Sequence, residues 1–377
     1  MERVIVVGNG LSIAGSRDFR VGNLTKLVRE ELDHTKIGNR TLLQILELAG
    51  KHLVPDQAAY EPERNFEHLL GPLDRLADLF SGPLLAVLSD VVDDTQLAVR
   101  VGSSARDLYT RAVATVLRAI DSIGVDHEAI KQSVDWFLAD IRPADTASIF
   151  TLNYDALLDG WIIDASKRPN CSWSFDDEFA PFYQATLTVG DKKVPMIPMR
   201  PRTTIRPRKV HLYHLHGALH WVAEDHGADV VVFKARDIDD LRAVHLFDVW
   251  ADGEVRPARP HVLLTDQKLR RVTVEPFAAA YEALAQSLRR ADRVLVAGYG
   301  FGDKPLNLAL AEGHANRQSN AQWLISRRGI KGQKFLDRWR AEGEIARNLQ
   351  CSRKELSVSF AGLPSIAKEQ ADFWKPT

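Results

Sequence analysis

The chain has 377 residues, 45% of them apolar, with 49 Lys plus Arg set against 50 Asp plus Glu. Charge this balanced supplies no bulk drive toward nucleic acid or an anionic membrane surface, so direct nucleic-acid binding is not indicated. The two cysteines, Cys171 and Cys351, exclude a four-cysteine zinc module within the chain and do not make a disulfide framework.

No apolar run approaches the roughly 20 residues that a membrane span needs. Nor does a secretory signal precede the first apolar run. A soluble, cytoplasmic protein is expected.

Val4-Ile5-Val6-Val7 is a short β-branched run bounded by glycine, which reads as a buried parallel strand. Gly8-Asn9-Gly10 then permits a tight turn, and Ser12 caps or follows into a helix. Glycine lets backbone approach a pyrophosphate, and a helix N-terminus favours negative charge. A plain structural turn competes, because Ile13 stands where the usual dinucleotide fingerprint has its third glycine.

A helical block follows, read from three segments. Over 64–80, Phe66, Leu69, Leu70, Leu73, Leu76, Ala77 and Phe80 recur at three- and four-residue steps, and Gly82 and Pro83 stop them. Glu67, after Asn65-Phe66, reads as a carboxylate favourable to the helix dipole. Further helices are predicted over 104–123 and 128–141. Residues 55–145 therefore read as a helical insertion or subdomain.

Ser148-Ile149-Phe150-Thr151 is the next predicted strand, and Asn153 and Asp155 follow it directly. A buried asparagine here either caps the helix that starts near Asp155 or holds a ribose hydroxyl or a water. Residues 167–209 carry Pro169, Pro181, Pro195, Pro198, Pro201 and Pro207 and read as a proline-rich loop or hairpin excursion. The basic stretch from Arg200 to Lys209 reads as a solvated loop.

Val210–His214 returns to strand character and runs into Leu215-His216-Gly217. His211, His214, His216 and His220 are dense, and strand alternation would put His214 and His216 on one face. No carboxylate or cysteine lies close at a familiar metal spacing, so no metal ligands are assigned. One histidine followed by glycine at a strand end suits a general base.

Val230–Phe233 and His261–Leu264 are further strand candidates, and 275–290 is a helix with Pro276 in its first turn. Arg293–Ala297 is a strong strand that ends in Gly298-Tyr299-Gly300-Phe301-Gly302-Asp303. Ala321–Ile325 reads as the last core strand. Strands alternating with helices predict an α/β, Rossmann-like fold: a doubly wound, mainly parallel sheet with the helical insertion and the excursion attached.

Taken in order, these motifs resemble the sirtuin-like superfamily. Gly8-Asn9-Gly10-Leu11-Ser12 looks like its first phosphate loop, and Asp18-Phe19-Arg20 like the segment over the nicotinamide. Thr151-Leu152-Asn153-Tyr154-Asp155 looks like the strand end with the essential asparagine, and His216-Gly217 like the catalytic histidine and its glycine. Gly298-Tyr299-Gly300 occupies the place of the late loop on the adenosine side. The closer likeness is to prokaryotic sirtuin-like proteins of antiphage defence, which share the Asn-Phe-Glu helix start and lack the zinc ribbon of protein deacylases.

That resemblance implies one sirtuin-like NAD-binding domain over 1–377 and cleavage of NAD to nicotinamide and ADP-ribose in abortive infection. NAD is then the substrate, with no cofactor required. Asn153 and His216 are the implied catalytic pair. Gly8, Asn9, Gly10, Ser12, Phe19, Arg20, Asp155, Gly298, Tyr299 and Gly300 are the implied NAD-binding residues. A homo-oligomer and a partner defence protein, such as a HerA-type ATPase, are further implied. A non-catalytic module that reads NAD or ADP-ribose and regulates a partner is the alternative.

Overall fold

In the computed structural model, the described residues are 1–58, 60–79, 95–177, 185–189, 191–199, 209–226, 229–253, 258–264, 268–318, 321–327, 335–360, 362–370 and 372–375. The strands, in chain order, are β1 (Glu2–Val7), β2 (Lys36–Ile37), β3 (Arg40–Thr41), β4 (Thr146–Thr151), β5 (Ser174–Asp177), β6 (Ala185–Val189) and β7 (Lys192–Pro198). They continue as β8 (Lys209–His214), β9 (Gly217–His226), β10 (Asp229–Ala235), β11 (Arg259–Val262), β12 (Arg293–Ala297), β13 (Gln322–Ser326) and β14 (Ser357–Ser359).

Seven strands make one sheet in the order β14-β13-β12-β1-β4-β8-β5. Every pairing in it is parallel. The apolar runs read from the sequence occupy its centre, where both faces are covered. Val4, Val6, Val294 and Val296 pack on one side with the helices Phe277–Arg290 and Lys304–Ala315. Ile5, Val7, Ile149 and Leu295 pack on the other with His127–Phe137 and Leu157–Ser166. Burial on both faces is why these strands are continuous apolar runs rather than alternating ones. The fold is the expected α/β Rossmann-like arrangement.

Three features depart from the sequence reading. The short edge strand β14 lies beyond β13, so β13 is not the last strand of the sheet. Two amphipathic helices, Val21–His34 and Leu42–Leu53, precede the predicted helical block. A second, five-stranded sheet, β11-β9-β10-β7-β6, is antiparallel. Part of the proline-rich stretch builds this sheet: Leu187, Val189, Val194 and Met196 are buried in one core with Leu46, Leu69 and Val116 of the helices. The helix predicted over 64–80 is observed as Glu67–Leu79. Phe80, Gly82, Pro83 and the basic stretch over 200–208 lie outside the described residues.

Candidate active site at the carboxyl ends of the parallel strands

Five neighbouring strands end level with one another. Val7 of β1 pairs with Thr151 of β4 and Ala297 of β12, Thr151 with His214 of β8, and Ala297 with Ser326 of β13. The segments leaving them rise from one line at the carboxyl edge, the edge at which open α/β sheets take ligands. They border a cleft of about 1020 Å³ lined by Asn9, Gly10, Asn153, Asp155, His216, Gly298, Gly300, Asp303 and Arg327 among others. Cofactor pockets occupy roughly 300–1,000 Å³, so a dinucleotide fits this space.

The two glycine turns abut. Gly10 N–H donates to the Gly298 carbonyl at 2.8 Å, and a Cβ on Gly10 would stand 2.4 Å from Gly298 Cα. Backbone cannot yield there, so glycine is required for the contact itself. Asn9, Gly10, Gly298, Tyr299 and Gly300 face the cleft, whereas Gly8 and Ser12 are not among its lining residues. The Tyr299 hydroxyl donates toward the Asp303 carbonyl at 2.8 Å and accepts from the Asp303 N–H at 3.1 Å, closing the second turn.

Asn9 Nδ2 donates to the Phe19 carbonyl at 2.6 Å and pins the short turn Arg17–Phe19 against the first loop. Buried Phe19 lines the cleft beside Arg17. Arg20 is exposed and is not among the lining residues, so the structure does not bring it to the other predicted site residues.

A buried chain of hydrogen bonds orients Asn153. Ser12 Oγ donates to Asp155 Oδ2 at 2.5 Å and accepts from Asn153 Nδ2 at 3.0 Å. With its nitrogen committed to Ser12, the amide leaves Oδ1 free, and that buried oxygen has no hydrogen-bond partner among the described residues. Burial raises the Asp155 carboxyl above the usual carboxylate range, with the Ser12 hydrogen bond opposing the rise. Asp155 Oδ1 also accepts from Leu157 N–H at 3.2 Å; the N-cap position of the following helix is Ala156, and Asn153 does not cap it.

His216 is fixed by its glycine. Gly217 has φ +78°, and a Cβ there would come within 2.3 Å of the His261 carbonyl oxygen. The His216 carbonyl accepts from Leu263 N–H at 2.8 Å, and the Tyr154 ring stacks on the imidazole with 6.3 Å between centroids. His216 Nε2 stands 3.2 Å from Asp303 Oδ2, outside hydrogen-bond alignment. Burial lowers the imidazole below the usual histidine range, and the Lys268 ammonium adds to this while Asp303 opposes it. The ring is therefore neutral at pH 7 and able to accept a proton. Burial pushes the Asp303 carboxyl upward, but His216 and Lys268 outweigh it and hold Asp303 low and ionised.

The other histidines belong elsewhere. β8 ends at His214, so strand alternation does not carry on to His216. His214 Nε2 lies 3.0 Å from Asp159 Oδ2 and His220 Nε2 lies 3.5 Å from Asp159 Oδ1. Burial outweighs the attraction of Asp159 and lowers His220 to about 3. Among the described residues, no group of three His, Cys, Asp or Glu side chains converges as a metal-ligand set.

Sequence reasoning assigned no site role to three residues of the site, Asp303, Glu67 and Lys268. Lys268 Nζ donates to Glu67 Oε1 at 2.9 Å and Oε2 at 3.0 Å, and lies 3.8 Å from Asp303 Oδ2. Glu67 sits at a helix start, as expected, but its carboxylate faces the cleft rather than merely favouring the dipole. The Asn-Phe-Glu motif was the available signal for Glu67. Lys268 lies in no motif at all.

Among the described residues, no helix is long and apolar enough to cross a membrane. No curated protein matches the chain significantly. A SIR2-like domain profile matches residues 147–345, just over half of the chain, and takes in β4 with Asn153, β8 with His216 and the Gly298 turn. A doubly wound sheet with its cleft at the carboxyl edge accords with that match, and the chain belongs to the SIR2-like domain family, whose members use NAD.

Proposed function

We propose that the protein is an NAD glycohydrolase that releases nicotinamide and leaves ADP-ribose. The observation that carries this reading is the unpartnered Oδ1 of buried Asn153, held toward the same cleft as a neutral histidine. A buried acceptor without a donor costs roughly 1–3 kcal/mol and is kept where a ligand supplies the donor.

Nicotinamide leaves as a neutral pyridine, so no acid is needed to protonate it. The transition state is oxocarbenium-like, and catalysis rests on positioning and on an activated acceptor. Asn153 Oδ1 accepts a hydrogen bond from a ribose hydroxyl or from the attacking water. His216 takes a proton from that hydroxyl or water. The abutting Gly10 and Gly298 turns bind the pyrophosphate through backbone, and Phe19 packs at the nicotinamide end. NAD is the substrate, and no further cofactor enters the reaction.

An enzyme of this kind would drain its own cell if it ran freely. We read it as an antiphage abortive-infection effector of the cytoplasm, held inactive until triggered, with control through a homo-oligomer or a partner such as a HerA-type ATPase. Nicotinamide release from NAD, followed with and without that partner, tests the reaction. Asn153→Ala and His216→Ala variants that fold are expected to lose at least about 100-fold in rate. Wild-type rates in both would remove the assignment. Saturable NAD binding without release under every condition would replace the enzyme with a binding module.

A further inference from the structure

The imidazole at the cleft is half of a buried pair that its own motif does not contain. Asp303 is 8% exposed and His216 is 2% exposed. His216 Nε2 and Asp303 Oδ2 stand 3.2 Å apart without aligned geometry, and neither atom makes an aligned hydrogen bond to another described residue, although the Tyr281 hydroxyl also approaches the Asp303 carboxylate. Buried polar atoms are rarely left in that state. Of the two neutral tautomers, only the one protonated at Nε2 turns a donor of the ring toward Asp303 Oδ2; the other sets a lone pair against a carboxylate, a repulsion that a Tyr281 hydroxyl near Asp303 does not remove.

The second oxygen of Asp303 is engaged as well. Oδ1 accepts from Leu306 N–H at 2.9 Å and caps the helix Lys304–Ala315. The carboxylate is thus clamped by the helix cap on one oxygen, with Lys268, itself tied to Glu67, 3.8 Å from the other. The charged groups around the imidazole are Asp303 from the Gly298 turn, Lys268 from the segment after β11 and Glu67 from the helix Glu67–Leu79.

We propose that Asp303 is the positioning residue of the site: its carboxylate receives the Nε2 proton of His216, fixing the ring and leaving Nδ1 as the nitrogen that accepts a proton from the substrate. This rests on the glycohydrolase reading for its rate consequences, but the tautomer it assigns exists without substrate. Lys268, tied to Glu67, places its positive charge near the oxygen that the cap does not engage. The roles parallel those of an imidazole and its orienting carboxylate in acyl-transfer enzymes, reached here from different strand ends.

Asp303→Asn tests this at nearly constant shape. The amide oxygen keeps the helix cap, since Asn caps as well as Asp. The amide nitrogen then faces Nε2, donor toward ring, so the ring must turn Nε2 into an acceptor and carry its proton on Nδ1. Asp303→Ser keeps a cap and removes the group that faces the ring. Each variant is examined in two ways: the nitrogen shifts of ¹⁵N-labelled histidine at pH 7.5 without ligand, and nicotinamide release from NAD.

The wild type is expected to carry Nε2–H at His216 and the Asn variant Nδ1–H. Nicotinamide release by the Asn variant is expected to fall on the order of 10²–10⁴-fold, with a smaller loss in the Ser variant. An Nδ1–H tautomer in the wild type overturns the proposal, whether or not either variant folds. So does an Asn variant that keeps Nε2–H and releases nicotinamide within twofold of the wild type. If the tautomers reverse as expected while the triggered wild type never cleaves NAD, the positioning role stands and the glycohydrolase reading falls.

Discussion

Ser12→Ala removes one buried oxygen that has two hydrogen-bond partners. Ser12 is fully buried, donating to Asp155 and accepting from Asn153. The first bond is to a carboxylate, worth about 1.5–3 kcal/mol, and the second is neutral, worth about 0.5–1.5 kcal/mol. The alanine methyl fills most of the space, so no cavity term adds to the loss. A destabilisation of about 2–4 kcal/mol is expected at pH 7.5.

That cost depends on pH, and its direction follows from Asp155. Burial raises its carboxyl in the folded state, and the Ser12 bond restrains the rise. A carboxyl raised on folding favours the native state at low pH and weighs against it as pH climbs through the folded value. Without Ser12 the carboxyl rises further, so the penalty of the variant is largest where the carboxyl is ionised and shrinks as pH falls. Urea unfolding followed by the fluorescence of the 8 tryptophans, at pH 7.5 and 5.0, measures the difference between variant and wild type. A loss under about 0.5 kcal/mol at both pH values, or a larger loss at pH 5.0, would refute the hydrogen-bonded chain as described.

The pH profile of nicotinamide release should show an acid limb below pH 6.5 and a plateau above it, because His216 must be neutral and burial has lowered it; a limb centred above 6.5 would contradict this. Gly217→Ala places a Cβ 2.3 Å from a backbone oxygen at φ +78°. It should cost at least about 2 kcal/mol and abolish turnover; a variant with wild-type unfolding and rate would show that the turn is not held as described. Arg17→Ala should weaken NAD binding by roughly 3–10-fold in calorimetry, because Arg17 is an exposed cation that lines the cleft and meets a ligand of negative charge. Arg20→Ala should stay within about twofold, since Arg20 is outside the cleft lining; the reverse ranking would move the nicotinamide segment by three residues.

The centre of the fold is legible in the sequence because parallel strands buried on both faces leave an unmistakable trace. Val4–Val7 and Val294–Ala297 are continuous apolar runs and Val210–His214 has strand character despite two histidines, each ended by the turn that carries chemistry. The order of those turns along the chain brings Asn153 and His216 to one rim, since Thr151 and His214 are in register and each candidate lies two residues beyond. The antiparallel sheet was hard to read because prolines, Pro195 and Pro198 among them, sit inside β7, and proline reads as loop. The helices Val21–His34 and Leu42–Leu53 carry apolar stripes of their own, Leu24, Leu27, Val28 and Leu32 in the first and Leu42, Leu46, Ala49 and Leu53 in the second, so both are legible in the sequence although the reading from motifs passes over them. Glu67 and Lys268 are separated by 201 residues, so their pairing is a product of folding that no local pattern carries. Asp303 ended a motif already noted for its glycines, and its partner, the imidazole, could be found only once β8 and β12 were placed on either side of β1 and β4.

The most direct measurement is a crystal structure of the protein with ADP-ribose bound. The account predicts the pyrophosphate against the Gly10 and Gly298 turns, with a hydroxyl of the distal ribose on Asn153 Oδ1 and within reach of His216. An ADP-ribose seated outside the cleft, or inserted with its adenosine against His216, would contradict it.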